Sequence, residues 1–382
     1  MNTQVIMFHS IGCQHANTPY AKLSFPWEHF EYFCDYLVKN HYKTAFLSEW
    51  LSSQIKERKD KNIYLTFDDG FLDNWVYAFP ILQKYQIKST IFINPEFIQL
   101  GKAKRQTCLG KDTDDLRKKA IGYLNWVELK EMQASGLVDI QSHSMSHTWY
   151  PISNKVINIQ QESNSQDYPW TIWNNSPNTK PHYLEQITSN SMQNYPIFEN
   201  GRSLGIRRYF LSEEQIIEIQ NNIADLLTKR LSRQEVIERV NIIVFNKRIF
   251  GRLETDQELF ERYYYELARS KQILETGLNK SIDFLCWPGG AYNDLSVRIS
   301  REVGYLASTL TSRGDNNPLH FSDYRRIPRI GVSSYWYERD GVRFYQKQIP
   351  VYILNREISG RRSFMSYRLS LVKKYKQLRR KK

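Results

Sequence analysis

No run of 18 apolar residues occurs anywhere in the 382-residue chain, so no segment reads as a membrane span. There is no low-complexity tract and no internal repeat, which excludes a solenoid or a repeat array. Cysteine is scarce: Cys13, Cys34, Cys108 and Cys286 are scattered without metal-ligand spacing, as suits a reduced compartment rather than a disulfide scaffold. The opening residues, Met1-Asn-Thr-Gln4, carry no basic residue and run straight into a strand-like Val5-Ile-Met-Phe8. No secretory signal is recognisable there, so the expected location is cytoplasmic. Acidic residues are absent from 360–382, which holds ten Lys or Arg and leaves only +3 of the net charge of +13 to the rest of the chain.

Within that basic stretch Phe364, Tyr367, Leu371, Tyr375 and Leu378 recur every three or four residues. On a helix they form one apolar stripe edged by cations, the pattern of a segment lying on an anionic membrane surface at the inner face. A solvated basic tail in weak contact with nucleic acid is the alternative. Confinement of the charge to the tail argues against a specific nucleic-acid partner.

The composition that remains is globular, 41% hydrophobic and 14% aromatic. Short apolar runs alternate with helical spacing: helices over 26–40, 48–56, 71–85, 124–134, 258–276 and 297–303, and strands near 5–8, 44–46, 63–67, 89–93, 138–141, 282–287, 306–310 and 326–332. This is an α/β signature. Residues 101–122 read as a loop over one end of the sheet. The alternation breaks between about 148 and 255, first into an irregular stretch rich in Asn, Ser, Pro and Tyr, then into helices over 211–230 and 233–245. That is too long for an ordinary connection. The expected organisation is a first part of the main domain at 1–148, a mostly helical or irregular insertion capping the site at 149–257, a second part at 258–345, and the basic amphipathic tail at 346–382.

Two stretches carry chemistry. Tyr64-Leu-Thr-Phe-Asp-Asp-Gly70 ends a strand in adjacent carboxylates, Asp68 and Asp69, which are hard to keep charged together without a cation beside them. Asp-Asp-Gly alone reads as a turn, and only the second stretch shifts the reading toward a metal. Downstream, Asp139-Ile-Gln-Ser-His-Ser-Met-Ser-His147 places His143 and His147 four apart after another strand. If the chain turns helical there, both imidazoles share a face and can grip one ion. Two His and one carboxylate leave positions open for water, a catalytic rather than structural arrangement.

Thr66-Phe-Asp-Asp-Gly70 and His143-Ser-Met-Ser-His147 resemble the first two motifs of the NodB-homology polysaccharide deacetylases (carbohydrate esterase family 4), and Trp287-Pro-Gly-Gly-Ala-Tyr292 is similar to the family's proline-glycine loop. The resemblance implies a distorted (β/α) barrel with the site at the C-terminal strand ends. It also implies a divalent ion, zinc by ligand type, held by Asp69, His143 and His147. Asp68 would be the general base, and the Gly289 amide would stabilise the oxyanion. Val5-Ile-Met-Phe-His-Ser-Ile11 resembles the opening strand of the circularly permuted members that act on poly-N-acetylglucosamine, which makes His9 the catalytic acid. The only late histidine, His320, lies in a polar loop instead. The arginine expected before the motif's proline is missing; Arg329 of Ile327-Pro-Arg329 would stand in as partner of the base, or is simply a strand-end charge.

Trp287, Pro288 and Tyr292 would contact substrate. Arg202, Arg207 and Arg208, set around two glycines, form either an anion clamp or a turn with exposed cations. The function implied is removal of N-acetyl groups from an amino sugar in a polysaccharide or a lipid-linked glycan precursor. A deformylase or deacylase of another amide, and an inactive glycan-binding relative, are the alternatives.

Overall fold

Eight short parallel strands organise the computed structural model, which describes residues 5–12, 20, 23–55, 62–108, 113–185, 192–310, 323, 325–339 and 342–359. They are β1 (Val5–Phe8), β2 (Tyr64–Phe67), β3 (Ser89–Ile93), β4 (Val138–Ser142), β5 (Phe284–Leu285), β6 (Ala307–Thr309), β7 (Arg326–Ile327) and β8 (Ile330–Gly331). Side by side they run β7-β6-β5-β4-β3-β2-β1-β8. Every residue of β2 and β3 is buried, as expected of strands covered on both faces.

The two edge strands are consecutive in the chain, separated only by Pro328 and Arg329. One extended segment therefore serves both edges: Arg326 and Ile327 register with Ser308 and Thr309, while Ile330 and Gly331 register with Ile6 and Met7. The sheet is curled into a distorted (β/α) barrel. Proline, with no N–H to donate, suits the point where the segment leaves one edge for the other.

Helices cover the barrel through apolar stripes. Trp27–Lys39 buries Phe30, Phe33, Cys34 and Leu37, spaced three and four apart. The helix Ile349–Ser359 docks on it, with Val351 and Leu354 buried and Asn355 hydrogen-bonded to Tyr36. Residues 349–356 thus pack as part of the barrel's cover rather than as a tail; 360–382 and His320 lie outside the described residues. No described helix is long and apolar enough to cross a membrane. The helix expected at 71–85 starts with a wide π turn, Asn74–Ala78, where Pro80 lacks the donor a regular turn needs. A second π turn, Tyr265–Arg269, interrupts the helical run between Asp256 and Leu278.

The stretch expected to be irregular after 148 instead contains a long antiparallel hairpin, Trp149–Ile159 against Pro196–Arg202. Its Asn, Ser and Pro content hides the alternation, and the register slips between Pro151 and Val156, where a bulge breaks the period-two pattern. Helices Glu213–Leu227 and Arg233–Asn246 are where the spacing places them, each opened by a Ser capping box. Hairpin and helices share a separate apolar cluster around Val156, Phe198, Ile223 and Val240.

Candidate active site

Asp68 and Asp69 leave the end of β2 in opposite directions. The Asp68 amide donates to the Phe8 carbonyl at 3.1 Å, continuing the ladder with β1. Asp69 and Gly70 then take left-handed backbone, φ 72° and 67°. The positive φ favours glycine at residue 70, where a Cβ would also lie 2.6 Å from Ile93 Cδ1.

Asp68 is 3% exposed and meets Arg329, which comes from the seam between β7 and β8. The contact is bidentate, Nη1 to Oδ1 at 2.7 Å and Nη2 to Oδ2 at 2.8 Å. Arg329 also donates to Cys286 Sγ at 3.0 Å and to Thr66 Oγ1 at 3.3 Å. Burial opposes the Asp68 charge, but the guanidinium's field and hydrogen bonds outweigh it and hold the carboxyl below its ordinary range. His9, just past β1, brings Nε2 to 3.9 Å from Asp68 Oδ2, and its carbonyl accepts from Asn74 Nδ2 at 3.1 Å.

Asp69 faces the imidazoles. Its Oδ1 is 3.2 Å from His143 Nε2 and 3.3 Å from His147 Nε2. The i, i+4 juxtaposition arises without a helix: residues 143–148 form a loop in which Ser144 and His147 are left-handed, φ 61° and 46°. Such backbone costs about 1–3 kcal/mol per residue and persists only where its surroundings over-determine it. Three buried side chains do so here. Glu266, in the second π turn, accepts from the Met145 and Ser146 amides at 3.2 and 3.0 Å and from Ser146 Oγ. Lys180, from the insertion, donates to the Ser146 carbonyl at 2.9 Å and to Glu96. Asn94 donates to the His143 and Ser144 carbonyls. Sequence reasoning missed all three. Asn94 follows β3 directly, a position at which a strand-end polar residue could have been noticed, but nothing marks Glu266 among the helix's other acids.

The Asp69, His143 and His147 donor atoms lie within 4.8 Å of one another. Ligands held about 2.1 Å from a tetrahedral ion are about 3.4 Å apart, close to the separations from Asp69 found here. His143 Nδ1 lies 2.9 Å from the Cys286 carbonyl, which can only accept, so Nδ1 carries the proton and Nε2 is the ligating nitrogen. Burial, reinforced by the charges of His143 and Arg202, pushes His147 down to about 4 despite Asp69, toward the neutral form that ligates. Burial also opposes charge on Asp69, yet its hydrogen bond with His143 holds it well below the carboxylate range. These residues fit a divalent ion. Asp68, His143 and Cys286 form a second group of similar spacing. There both Asp68 oxygens and the thiol already accept from Arg329, and a dication would face a guanidinium. The first group is the metal candidate.

Gly289 follows β5 in left-handed backbone, φ 54°. The Arg202 guanidinium lies against it, so that a Cβ there would sit 2.1 Å from Nε. Arg207 and Arg208 are engaged elsewhere: Arg207 with Asp256 and the Glu254 carbonyl, Arg208 between the Tyr150 and Phe210 rings. Trp287 is 1% exposed and packs on Tyr292, Pro288 is buried, and Tyr292 lies under Arg326 at 4.2 Å. Substrate contact at Trp287 is therefore corrected to packing, because the ring has no open face. A cavity of about 320 Å³ opens beside Asp69 and His147, lined by Tyr20, Phe71, Phe97, Tyr123 and the insertion's Trp149 and Trp173 among others.

Residues 55–189, which contain both Asp68-Asp69 and His143–His147, match the polysaccharide deacetylase family. The chain is 30% identical over 148 residues to YxkH of Bacillus subtilis (strain 168), a protein assigned to the polysaccharide deacetylases. That match covers 37% of this chain and 42% of the relative, less than half its length. A de-N-acetylase from Aggregatibacter actinomycetemcomitans has the same fold, with a TM-score of 0.51 at 13% identity, over 87% of this chain and 95% of that one. The BpsB deacetylase domain from Bordetella bronchiseptica overlays with a TM-score of 0.49 at 16% identity, over 87% and 96% of the two chains. The deacetylase match stops at 189, so β5 to β8, with Gly289 and Arg329, lie beyond it.

Proposed function

We propose that the protein is a metal-dependent carbohydrate deacetylase, a hydrolase that removes N-acetyl groups from an amino sugar in a polysaccharide or a lipid-linked glycan precursor. One observation carries the reading: a carboxylate–imidazole–imidazole group fit for a divalent ion adjoins a second carboxylate held charged by an arginine. Asp69, His143 and His147 hold the ion, with zinc the first candidate from the ligand types. When bound, it supplies an activated water and polarises the acetyl carbonyl.

Asp68 takes the water's proton, and Arg329 keeps that carboxylate ionised and aimed. The Gly289 amide donates to the carbonyl oxygen as negative charge develops on it. His9 protonates the leaving nitrogen, which departs as the free amine of the sugar with acetate as the second product. The aromatic cavity receives the sugar, and the 149–257 insertion closes one side of it through Trp149 and Trp173. The reading keeps the circularly permuted arrangement, in which the acid comes from the opening strand, and His9 Nε2 lies 3.9 Å from Asp68 Oδ2. A cytoplasmic protein resting on the inner membrane face through 360–382 is the setting we propose, with no specific nucleic-acid partner.

The test is acetate release from a panel of N-acetylated oligosaccharides, with and without chelator. Release that chelation abolishes and added zinc restores is expected; no release from any of them overturns the deacetylase and leaves a glycan-binding relative or a deacylase of another amide. A second reading, a deacylase of another amide, draws on the cavity, whose volume far exceeds that of a methyl group. Rates that rise with N-acyl chain length would favour it.

A further inference from the structure

The Arg202 guanidinium is positioned by rigid neighbours and answered by none of them. Arg202 registers with Trp149 across the hairpin, two residues beyond His147. The Ser203 amide donates to the Thr148 carbonyl at 3.0 Å, fastening the two strands at that point. The guanidinium lies 5.6 Å from the Trp149 ring, whose position is fixed by stacking on Trp170 at 5.1 Å, and its other side rests on Gly289.

Four other cations around the site have a carboxylate, Arg329 with Asp68, Lys180 with Glu96, Arg262 with Glu254 and Arg207 with Asp256, while Arg208 is held between the Tyr150 and Phe210 rings. Among the described residues Arg202 has no ion pair and donates no hydrogen bond. Nor is a site carboxylate left over to serve it, since Asp68 is held by Arg329 and Asp69 is turned to the imidazoles. A guanidinium offers five donors in a planar fork that matches a carboxylate or phosphate, and a fork held on an aromatic ring loses little freedom on binding one.

We propose that Arg202 binds an anionic substituent of the glycan, a carboxylate or phosphate on the sugar that carries the acetamido group or on its neighbour. The inference rests on the deacetylase reading for the ligand being a glycan. The site itself needs only the unanswered cation beside His147. It assigns the substrate to acidic amino sugars, a class that the Asp-His-His group does not select by itself, because the ion engages the amide whatever the rest of the sugar carries. The insertion supplies both Arg202 and one side of the aromatic wall, Trp149 and Trp173, so the segment between the two parts of the barrel helps set which sugars enter.

The test is calorimetric binding to the full chain, freed of metal by chelation so that no ion competes for the anion. The probes are N-acetylglucosamine, its 6-phosphate and N-acetylmuramic acid. Charge-assisted hydrogen bonds of this kind are worth about 1.5–3 kcal/mol, so an acidic probe should bind roughly tenfold or more tighter than the neutral sugar. In Arg202→Gln that ratio should fall close to one, and Arg202→Lys should keep part of it; thermal melting of each variant confirms that the fold is intact. Equal binding of neutral and acidic probes by the native protein overturns the proposal, as does a preference that survives Arg202→Gln. The phosphate and carboxylate arms identify which anion is preferred. Acetate release, followed separately on the metal-loaded protein, distinguishes the two readings: a charge preference without release sinks the deacetylase and leaves the anion site standing.

Discussion

Asp68 and Asp69 are neighbours in the chain and opposites in environment. Asp68 belongs to a dry half of the site, where Arg329, Cys286 and Thr66 from barrel strands and their ends enclose it. Asp69 belongs to a half that opens on the aromatic cavity and faces a loop held in strained backbone by Glu266, Lys180 and Asn94. The first half maintains a charge by pairing it; the second maintains a geometry by bracing a loop. One left-handed turn at Asp69-Gly70 is what lets two consecutive carboxylates serve both.

The sharpest way to break this contrast is to remove a ligand from one half and the base from the other. His143→Ala should release the ion and reduce hydrolysis to background, read by metal analysis of the purified protein alongside rates. Asp68→Asn should keep its metal while losing about 10²-fold or more in turnover. Full stoichiometric metal in the first variant, or near-native rates in the second, would dissolve the division of labour.

Next in size is Arg329→Met. It leaves a carboxylate buried without its partner, at a cost of about 3–5 kcal/mol in a denaturant titration. A loss below 1 kcal/mol would mean that Asp68 does not depend on the pair. Glu266→Gln acts on the other half and should be milder for the fold but plain for the ion. A weakened brace behind metal ligands lowers affinity by about 10–100-fold, measured by competition with a chelating dye. Unchanged affinity would reduce Glu266 to packing.

The last comparison concerns Asp73, which steadies the segment after His9. It is 3% exposed and accepts from Ser10 Oγ, from the Ile11 amide at 3.2 Å and from Asn74 at 3.3 Å. Burial raises its carboxyl to about 7 in spite of those bonds. The folded protein therefore keeps this proton up to about pH 7, whereas the unfolded chain gives it up near pH 4. In that window the folded state binds more protons, and its stability falls as pH rises, by about 4 kcal/mol at most. Asp73→Asn should remove the dependence, so the stability difference between native and variant shifts against the native protein from pH 5 to pH 8. A flat difference would show that the proton is not held.

What the sequence made legible was whatever is encoded locally. Tyr64–Gly70 reads as strand and turn because apolar residues, carboxylates and glycine are contiguous, and the paired imidazoles stand out by spacing alone. The reason for that spacing was not legible. A helix was the economical guess, while the actual loop depends on Glu266, 120 residues away, and on Lys180 from the insertion. The hairpin at 149–202 was hidden because Pro151 and a bulge interrupt its alternation. Trp287 looked like a sugar platform, since an aromatic beside Pro-Gly-Gly carries no sign of which way its ring turns.

The segment Arg326–Gly331 latches β1 to β6 and, at its midpoint, delivers the guanidinium on which Asp68 relies. Closing the cylinder and arming the base are a single event. On the role proposed for Asp68, a local parting of that latch would silence the chemistry while the remaining strands still stand.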